Sequence, residues 1–389
     1  MEIYFDNSAT TRICDEALEK YVEVSRDFYG NPSSLHALGF SAEKMLNQAR
    51  QDILSTLGAR GCDLIFTASG SEANNLAIIG RAYSKERYKR GAKIITTMGE
   101  HASVSEPLKR LASEGFKIVE IPTVGGKIDM DRLASELTPD TILVTMMMVN
   151  NETGALYDIA SVSKLMREKC RDSLLHVDAT QSYLKIPFTK SSIGADMITL
   201  SSHKIEGPKG VGALVIDPAV IKNRGIAPQI LGGGQEMGLR SGTENVPAVA
   251  AFAEAARLGY AELSEHYAYT SMLREYLIDK FSTDPALSGY TLTLPQSHAP
   301  HILNVTSPGI KSETLLHYLS SEGIYVSSGS ACSSNSAHVS SALVAYGKSV
   351  DEADRSIRIS LSPRNTKEEL DVLGEALGRA AVKLARIRK

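Results

Sequence analysis

Seven short apolar runs, most of them β-branched, recur between residues 60 and 216 with amphipathic stretches between them: LIFTA, KIITTM, KIVEIP, ILVTMMMV, LLHVDA, MITLSS and GALVID. Nearly continuous apolar runs of this length suit strands buried on both faces, and helical spacing in the intervening segments suits covering helices. ASVSEPLKRLASEG and IASVSKLMREKC are two such segments. The alternation predicts an α/β fold with a mostly parallel central sheet. After about residue 260 the pattern changes to a long polar helix (AELSEHYAYTSMLREYLIDKF), a few strands and a final amphipathic helix near 366–387, which predicts a smaller α/β domain.

At 389 residues the chain is long enough for two or three folded units. Its 43% hydrophobic and 22% charged residues are those of an ordinary globular protein. A net charge of -3 gives no broad basic field, so nucleic acid is not an expected direct partner. MEIYFDNSATT has neither the basic start nor the apolar stretch of a signal peptide, and no apolar run approaches the ~20 residues of a membrane helix. Cys14, Cys62, Cys170 and Cys332 lie far apart with no CxxC pair, which argues against a zinc site or a disulfide framework. The expected compartment is the cytoplasm.

In an open α/β sheet, ligands bind beyond the carboxyl ends of the strands. TASGSEANN (67–75) follows a strand and opens a helix, with Ser69 and Glu72 spaced as a capping box. Either this is only a well-capped helix, or Gly70 and Ser71 offer backbone N–H groups to a phosphate. HVDATQS (176–182) puts Asp178 at a second strand end, and LSSHKIEGPKGVGAL (200–214) puts Ser201, Ser202, His203 and Lys204 at a third. A lysine and an aspartate on neighbouring strand ends are what pyridoxal phosphate chemistry requires: an amine for a Schiff base and a carboxylate for the pyridine nitrogen. His101, after the KIITTM strand, either lies over the cofactor ring or shuttles protons. Asn151 and Gln181 are candidates for bonds to the ring oxygen.

Three further segments stand out. GGGQEMGLRSGTENVP (232–247) is either a surface loop or a source of hydroxyls, Thr243 above all, that reach a phosphate across a subunit interface. SSGSACSS (327–334) places Cys332 among small residues with little apolar cover, as a thiolate that attacks and then delivers its product needs. Arg358, in SIRISLSPRNT, sits in an apolar strand and needs a partner, either a substrate carboxylate or a structural carboxylate. The glycines of GGGQEMG do not fit GxGxxG, and Gly347-Lys348-Ser349 has Ala342 where a P-loop needs glycine.

YFDNSATT, YGNPSSLH, VNNETG, HVDATQS, SSHKIEGPKG, GGGQE, RSGTENVP and SSGSACSS, in this order, resemble the cysteine desulfurases of the NifS/IscS type from residue 3 to about 370. The resemblance implies a homodimer of PLP fold-type I. Its large cofactor domain would take residues 15–260, and its small domain residues 1–14 and 261–389. It makes Lys204 the Schiff-base lysine, Asp178 the pyridinium partner, His101 the ring-stacking acid/base, and Gln181 and Asn151 the ring contacts. Gly70, Ser71, Ser201 and His203 would bind phosphate with Thr243 of the other subunit. Cys332 corresponds to the sulfur acceptor and Arg358 to the carboxylate anchor.

The implied activity turns L-cysteine into L-alanine and a Cys332 persulfide, destined for an iron–sulfur scaffold or a tRNA-thiolation enzyme. A related lyase acting on selenocysteine is the alternative, and a silent scaffold is a third reading. Met237 stands where the family often has arginine, Ser362 where it has glycine, and SSNSAHVSSAL departs from the usual continuation of the cysteine loop.

Overall fold

In a computed structural model of the chain, which describes residues 2–84, 92–328 and 339–385, all seven apolar runs become strands of one sheet. Ile3–Tyr4 is β1; the sheet holds β2 (Asp63–Thr67), β3 (Lys93–Thr97), β4 (Lys117–Ile121), β5 (Thr141–Met147), β6 (Leu174–Asp178), β7 (Met197–Ser201) and β8 (Gly212–Ile216). Their spatial order is β2-β8-β7-β6-β5-β3-β4. β8 pairs antiparallel with both β2 and β7, and every other pairing in this sheet is parallel. The expected mostly parallel α/β sheet is therefore present.

Alternation along the strands explains why both faces had to be apolar. Phe66, Ile95, Val144 and Val177 enter one core, whereas their neighbours Ile65, Ile94 and Leu143 enter the core on the opposite face. Helices Gly70–Ala82 and Ala102–Ser113 cover the second face, through Leu76, Ala77, Leu108 and Leu111. Helices Ala37–Thr56, Ile159–Lys169 and Val246–Ala261 cover the first.

A separate apolar cluster gathers most of the buried apolar residues after 270. The long helix is Leu263–Thr283, and it packs with Ser312–Ser321 and Lys367–Ala385 around Leu273, Leu277, Leu315 and Leu373. Against them lies an antiparallel sheet ordered β12-β13-β10-β9, made of β9 (Thr291–Thr293), β10 (Ile302–Thr306), β12 (Ser327–Ser328) and β13 (Ser356–Ser360). β1 pairs in parallel with β11 (Ile324–Tyr325), and Ile3 and Phe5 join this same cluster. The next residues cross to the first unit: Asn7 Nδ2 donates to the Ser360 carbonyl at 3.0 Å, and Thr11 Oγ1 to the His203 carbonyl at 2.9 Å.

The glycine-rich segment 232–247 is pinned, not loose. Glu236 is buried, forms a paired ion bridge with Arg50 at 2.9 Å, and accepts from the Phe66 N–H at 2.8 Å.

Candidate active site

The carboxyl ends of β2, β3, β5, β6 and β7 face one edge of the parallel sheet, and the segments leaving them enclose a cavity of about 270 Å³. Gly70 and Ser71 line it from the helix after β2, and His101 from the turn after β3. Asn151 follows β5, Asp178 ends β6 and Gln181 follows it. Ser201, His203 and Lys204 close β7 and its turn, and Arg358 enters from β13.

Lys204 ends a short turn, Ser202–Lys204, and its Nζ donates to the carbonyls of Ser8 at 2.5 Å and Ala9 at 2.7 Å. Asp178 is buried; its Oδ1 accepts from the Thr180 N–H at 2.9 Å and its Oδ2 from Asn74 Nδ2 at 2.8 Å. Two residues earlier, buried His176 bridges Thr145 Oγ1 at 2.8 Å and Thr199 Oγ1 at 2.9 Å, tying β5, β6 and β7 together. Burial drives its pKa down to about 4, so this brace is uncharged at neutral pH.

His101 caps the helix Ala102–Ser113, its Nδ1 accepting from the Ser103 N–H at 3.1 Å. Burial lowers its pKa; Asp178 opposes the shift, while Lys204 and Arg358 add to it. Beside it, fully buried Glu100 accepts from the Met147 N–H at 3.0 Å and from the Thr97 hydroxyl. Desolvation outweighs those bonds and pushes its carboxyl up to about 8.

At the helix opening, Ser69 Oγ accepts from the Glu72 N–H at 3.1 Å. The expected capping box is only half made, because Glu72 reaches the N–H of Ala68, at 2.8 Å, and takes Arg240 Nε at 2.9 Å. The first turn borders the cavity through Gly70 and Ser71, whose N–H groups have no acceptor within the helix. Space here is tight: a Cβ on Gly70 would stand 3.1 Å from Ser201 Cβ, and one on Gly212 would stand 2.7 Å from the Gly70 nitrogen. His203 Nδ1 lies 3.0 Å from Thr10 Oγ1, and burial beside Lys204 takes its pKa down to about 4.

Of the two roles open to Arg358, the contacts show the structural one. Nη2 pairs with Asp6 Oδ1 at 3.0 Å and Nη1 donates to the Asn151 carbonyl at 2.9 Å, which makes it a structural link. Among the described residues its Nε is buried without a hydrogen-bond partner, as are Gln181 Oε1 and Ser8 Oγ. Buried polar atoms left unpaired on a cavity wall call for a polar ligand. Pyridoxal phosphate fits this donor set: an amine, an adjacent carboxylate, a helix N-terminus cleared by glycines, and polar atoms with bonds still to make.

Two sequence candidates are not brought to the cavity among the described residues. Thr243 is exposed and does not line it. Cys332 lies outside the described residues. Conversely, the cavity includes Ser8, Ala9, Asn74, Ser103 and Thr180, none of them singled out in the sequence. The signal for Asn74 is a polar residue on the apolar side of its helix, among buried Ala73, Leu76 and Ala77. Cys14, Cys62 and Cys170 are unbridged thiols whose pKa burial raises, as incidental cysteines should be.

The model of the aminotransferase class-V family matches residues 3–373. Cysteine desulfurase IscS 1 of Archaeoglobus fulgidus is 37% identical over 377 residues, covering 96% of this chain and 95% of its own. Among solved structures, a NifS-like protein superposes with a TM-score of 0.90 at 36% identity, over 98% of this chain and all of its own. SspA, solved in complex with cysteine, superposes with a TM-score of 0.78 at 32% identity, over 94% of this chain and 100% of its own. With sheet, cavity and lysine–aspartate pair in agreement with that span of likeness, the chain belongs to the class-V aminotransferase family, within its cysteine desulfurases of the NifS/IscS type.

Proposed function

We propose that this chain is a pyridoxal-phosphate-dependent cysteine desulfurase that converts L-cysteine to L-alanine and takes the sulfur onto Cys332. The observation that carries the reading is that Lys204 and Asp178, on the ends of neighbouring strands, line one cavity with His101 and Arg358.

Lys204 would hold the cofactor by its aldehyde carbon, and Asp178 by its ring nitrogen. Gly70, Ser71, Ser201 and His203 would hold its phosphate, and Gln181 and Asn151 its ring oxygen. When bound, this group supplies an electron sink that weakens the bonds at the substrate α-carbon. The protein's own groups do the rest. Arg358 orients the substrate carboxylate through its unpartnered Nε. Lys204 Nζ, once displaced, takes and returns the α-proton. Before that proton goes back, the thiolate of Cys332 forms a bond to the substrate sulfur as the carbon–sulfur bond breaks; the electron pair stays with the β-carbon, which takes up the proton released from the substrate thiol, leaving alanine and a persulfide.

The same reading extends to the assembly: the homodimer that the family resemblance implies would bring Thr243 from a second copy. The persulfide would pass to an acceptor protein, an iron–sulfur scaffold or a tRNA-thiolation enzyme, in the cytoplasm. Residues 15–260 would be the cofactor domain and 1–14 with 261–389 the smaller one. No helix among the described residues is long and apolar enough to cross a membrane. The names of the relatives do not favour the selenocysteine lyase alternative.

Borohydride reduction of the loaded protein followed by peptide mapping tests the core of this reading. The label should sit on Lys204 and be absent from Lys204→Ala, while Cys332→Ser keeps the yellow cofactor and forms no persulfide. A label on another lysine, or sulfur transfer by Cys332→Ser, overturns it.

A further inference from the structure

A hydrogen-bonded line of four side chains runs along the cavity wall from Asp178 to His101. Asn74 Nδ2 gives one proton to Asp178 Oδ2 and the other to Ser103 Oγ, each at 2.8 Å. Ser103 Oγ lies 2.8 Å from His101 Nδ1, and the Ser103 backbone N–H donates to the same nitrogen at 3.1 Å.

Chemistry fixes the sense of every bond. A carboxylate only accepts, so the Asn74 amide must turn its NH₂ toward Asp178. A backbone N–H only donates, so His101 Nδ1 must be an acceptor. The Ser103 hydroxyl, already receiving a proton from Asn74, passes its own to Nδ1. An accepting Nδ1 leaves the proton of a neutral imidazole on Nε2.

We propose that Ser103 and Asn74 are positioning residues that lock neutral His101 as the Nε2–H tautomer, so that it meets the bound ligands with its proton on Nε2. The inference rests on the cofactor reading above for what His101 meets, but the tautomer itself does not depend on it. Protonating Nδ1 would forfeit the Ser103 N–H bond, which cannot reverse. The charged groups acting on the ring agree only in part: Asp178 on β6 favours a second proton, while Lys204 after β7, Arg358 on β13 and the burial itself oppose it. Glu100, on the same turn, has its own carboxyl pushed up to about 8, so it adds no full negative charge at neutral pH. The Ser103 bonds act in the same direction as the burial that lowers the His101 pKa.

The test is ¹⁵N NMR of histidine-labelled full-length protein, with and without cofactor, the His101 signals assigned by His101→Gln. Wild type should show a bare Nδ1 and a protonated Nε2. Ser103→Ala loses one donor to the neutral ring, so His101 should titrate about one pH unit higher, the acid limb of kcat/KM should move up by the same amount, and Ser103→Thr should restore both. A protonated Nδ1 in wild type, or a Ser103→Ala titration identical to wild type, overturns the proposal. If Ser103→Ala fails to fold, the wild-type tautomer alone still decides it. A protein with the stated tautomer but no alanine production from cysteine would sink the cofactor reading and leave this inference standing.

Discussion

Arg358 and Asp6 form an ion pair at 3.0 Å across 352 residues of chain, with the guanidinium almost fully buried. This contact orients the guanidinium from behind and leaves Nε over for a ligand. Lysine keeps the charge but carries it on one nitrogen, which cannot reproduce the separate guanidinium donors to Asp6, Asn151 and a carboxylate. Arg358→Lys is therefore expected to raise KM for cysteine roughly tenfold, the loss of one charge-assisted bond, with a smaller change in kcat. Steady-state alanine formation measures both, and an unaltered KM would remove Arg358 from the anchor role.

Asp178→Asn keeps the shape of the side chain, and its amide oxygen can still accept from Asn74. It cannot supply the negative charge. Turnover is expected to fall on the order of 10²–10³-fold, the usual consequence of removing one electrostatic stabiliser at a reacting centre; the new NH₂ faces the Thr180 N–H and forfeits that bond, so Tm falls modestly while circular dichroism stays close to wild type. Retained turnover would mean that another group faces the ring nitrogen.

Gly212→Ala reads the crowding at the helix opening. Its Cβ would stand 2.5 Å from the Ser69 carbonyl carbon, so the first turn of the helix must shift. Overpacking of this kind costs about 1–3 kcal/mol. Both Tm and cofactor retention on dialysis should drop. A variant that loses Tm but holds its cofactor as wild type does would separate that turn from the phosphate site.

Glu100 gives a pH dependence with a definite sign. Its folded pKa, about 8, lies above the ordinary 4.5, so between these values the folded state holds a proton that the unfolded state has released. Stability from this group is present at low pH and is lost as pH rises through that window, by up to about 1.4 kcal/mol per unit. Glu100→Gln should flatten the slope, gaining on wild type between pH 5 and 8 in urea titrations. Parallel slopes for the two proteins would show that Glu100 ionises normally.

How much of this was readable from the residues follows from what periodicity encodes. Apolar runs of strand length announced all seven strands because both faces of the sheet are covered. The reversed direction of β8 left no trace, since an antiparallel strand buried on both sides has the same composition as a parallel one. Lys204 and Asp178 stood out because strand ends are predictable and polar residues there have a known outlet. Asn74 and Ser103 did not, for each lies in a helix, where a short polar side chain ordinarily reads as a solvent face or a cap. Ser8 and Ala9 act through backbone carbonyls, which no side-chain pattern records. Thr243 depends on a second copy in the proposed assembly, so no single fold could bring it in.

The path of the first dozen residues sets an order of events during synthesis. β1 has to wait for β11, and the wall that Ser8 and Ala9 build around Lys204 is fastened by Ser360 through the neighbouring Asn7 and the Ser8 N–H. A ribosome must therefore release nearly the whole polypeptide before the vestibule has all its sides. A small molecule that needs all of these walls therefore meets them together only in a nearly finished chain.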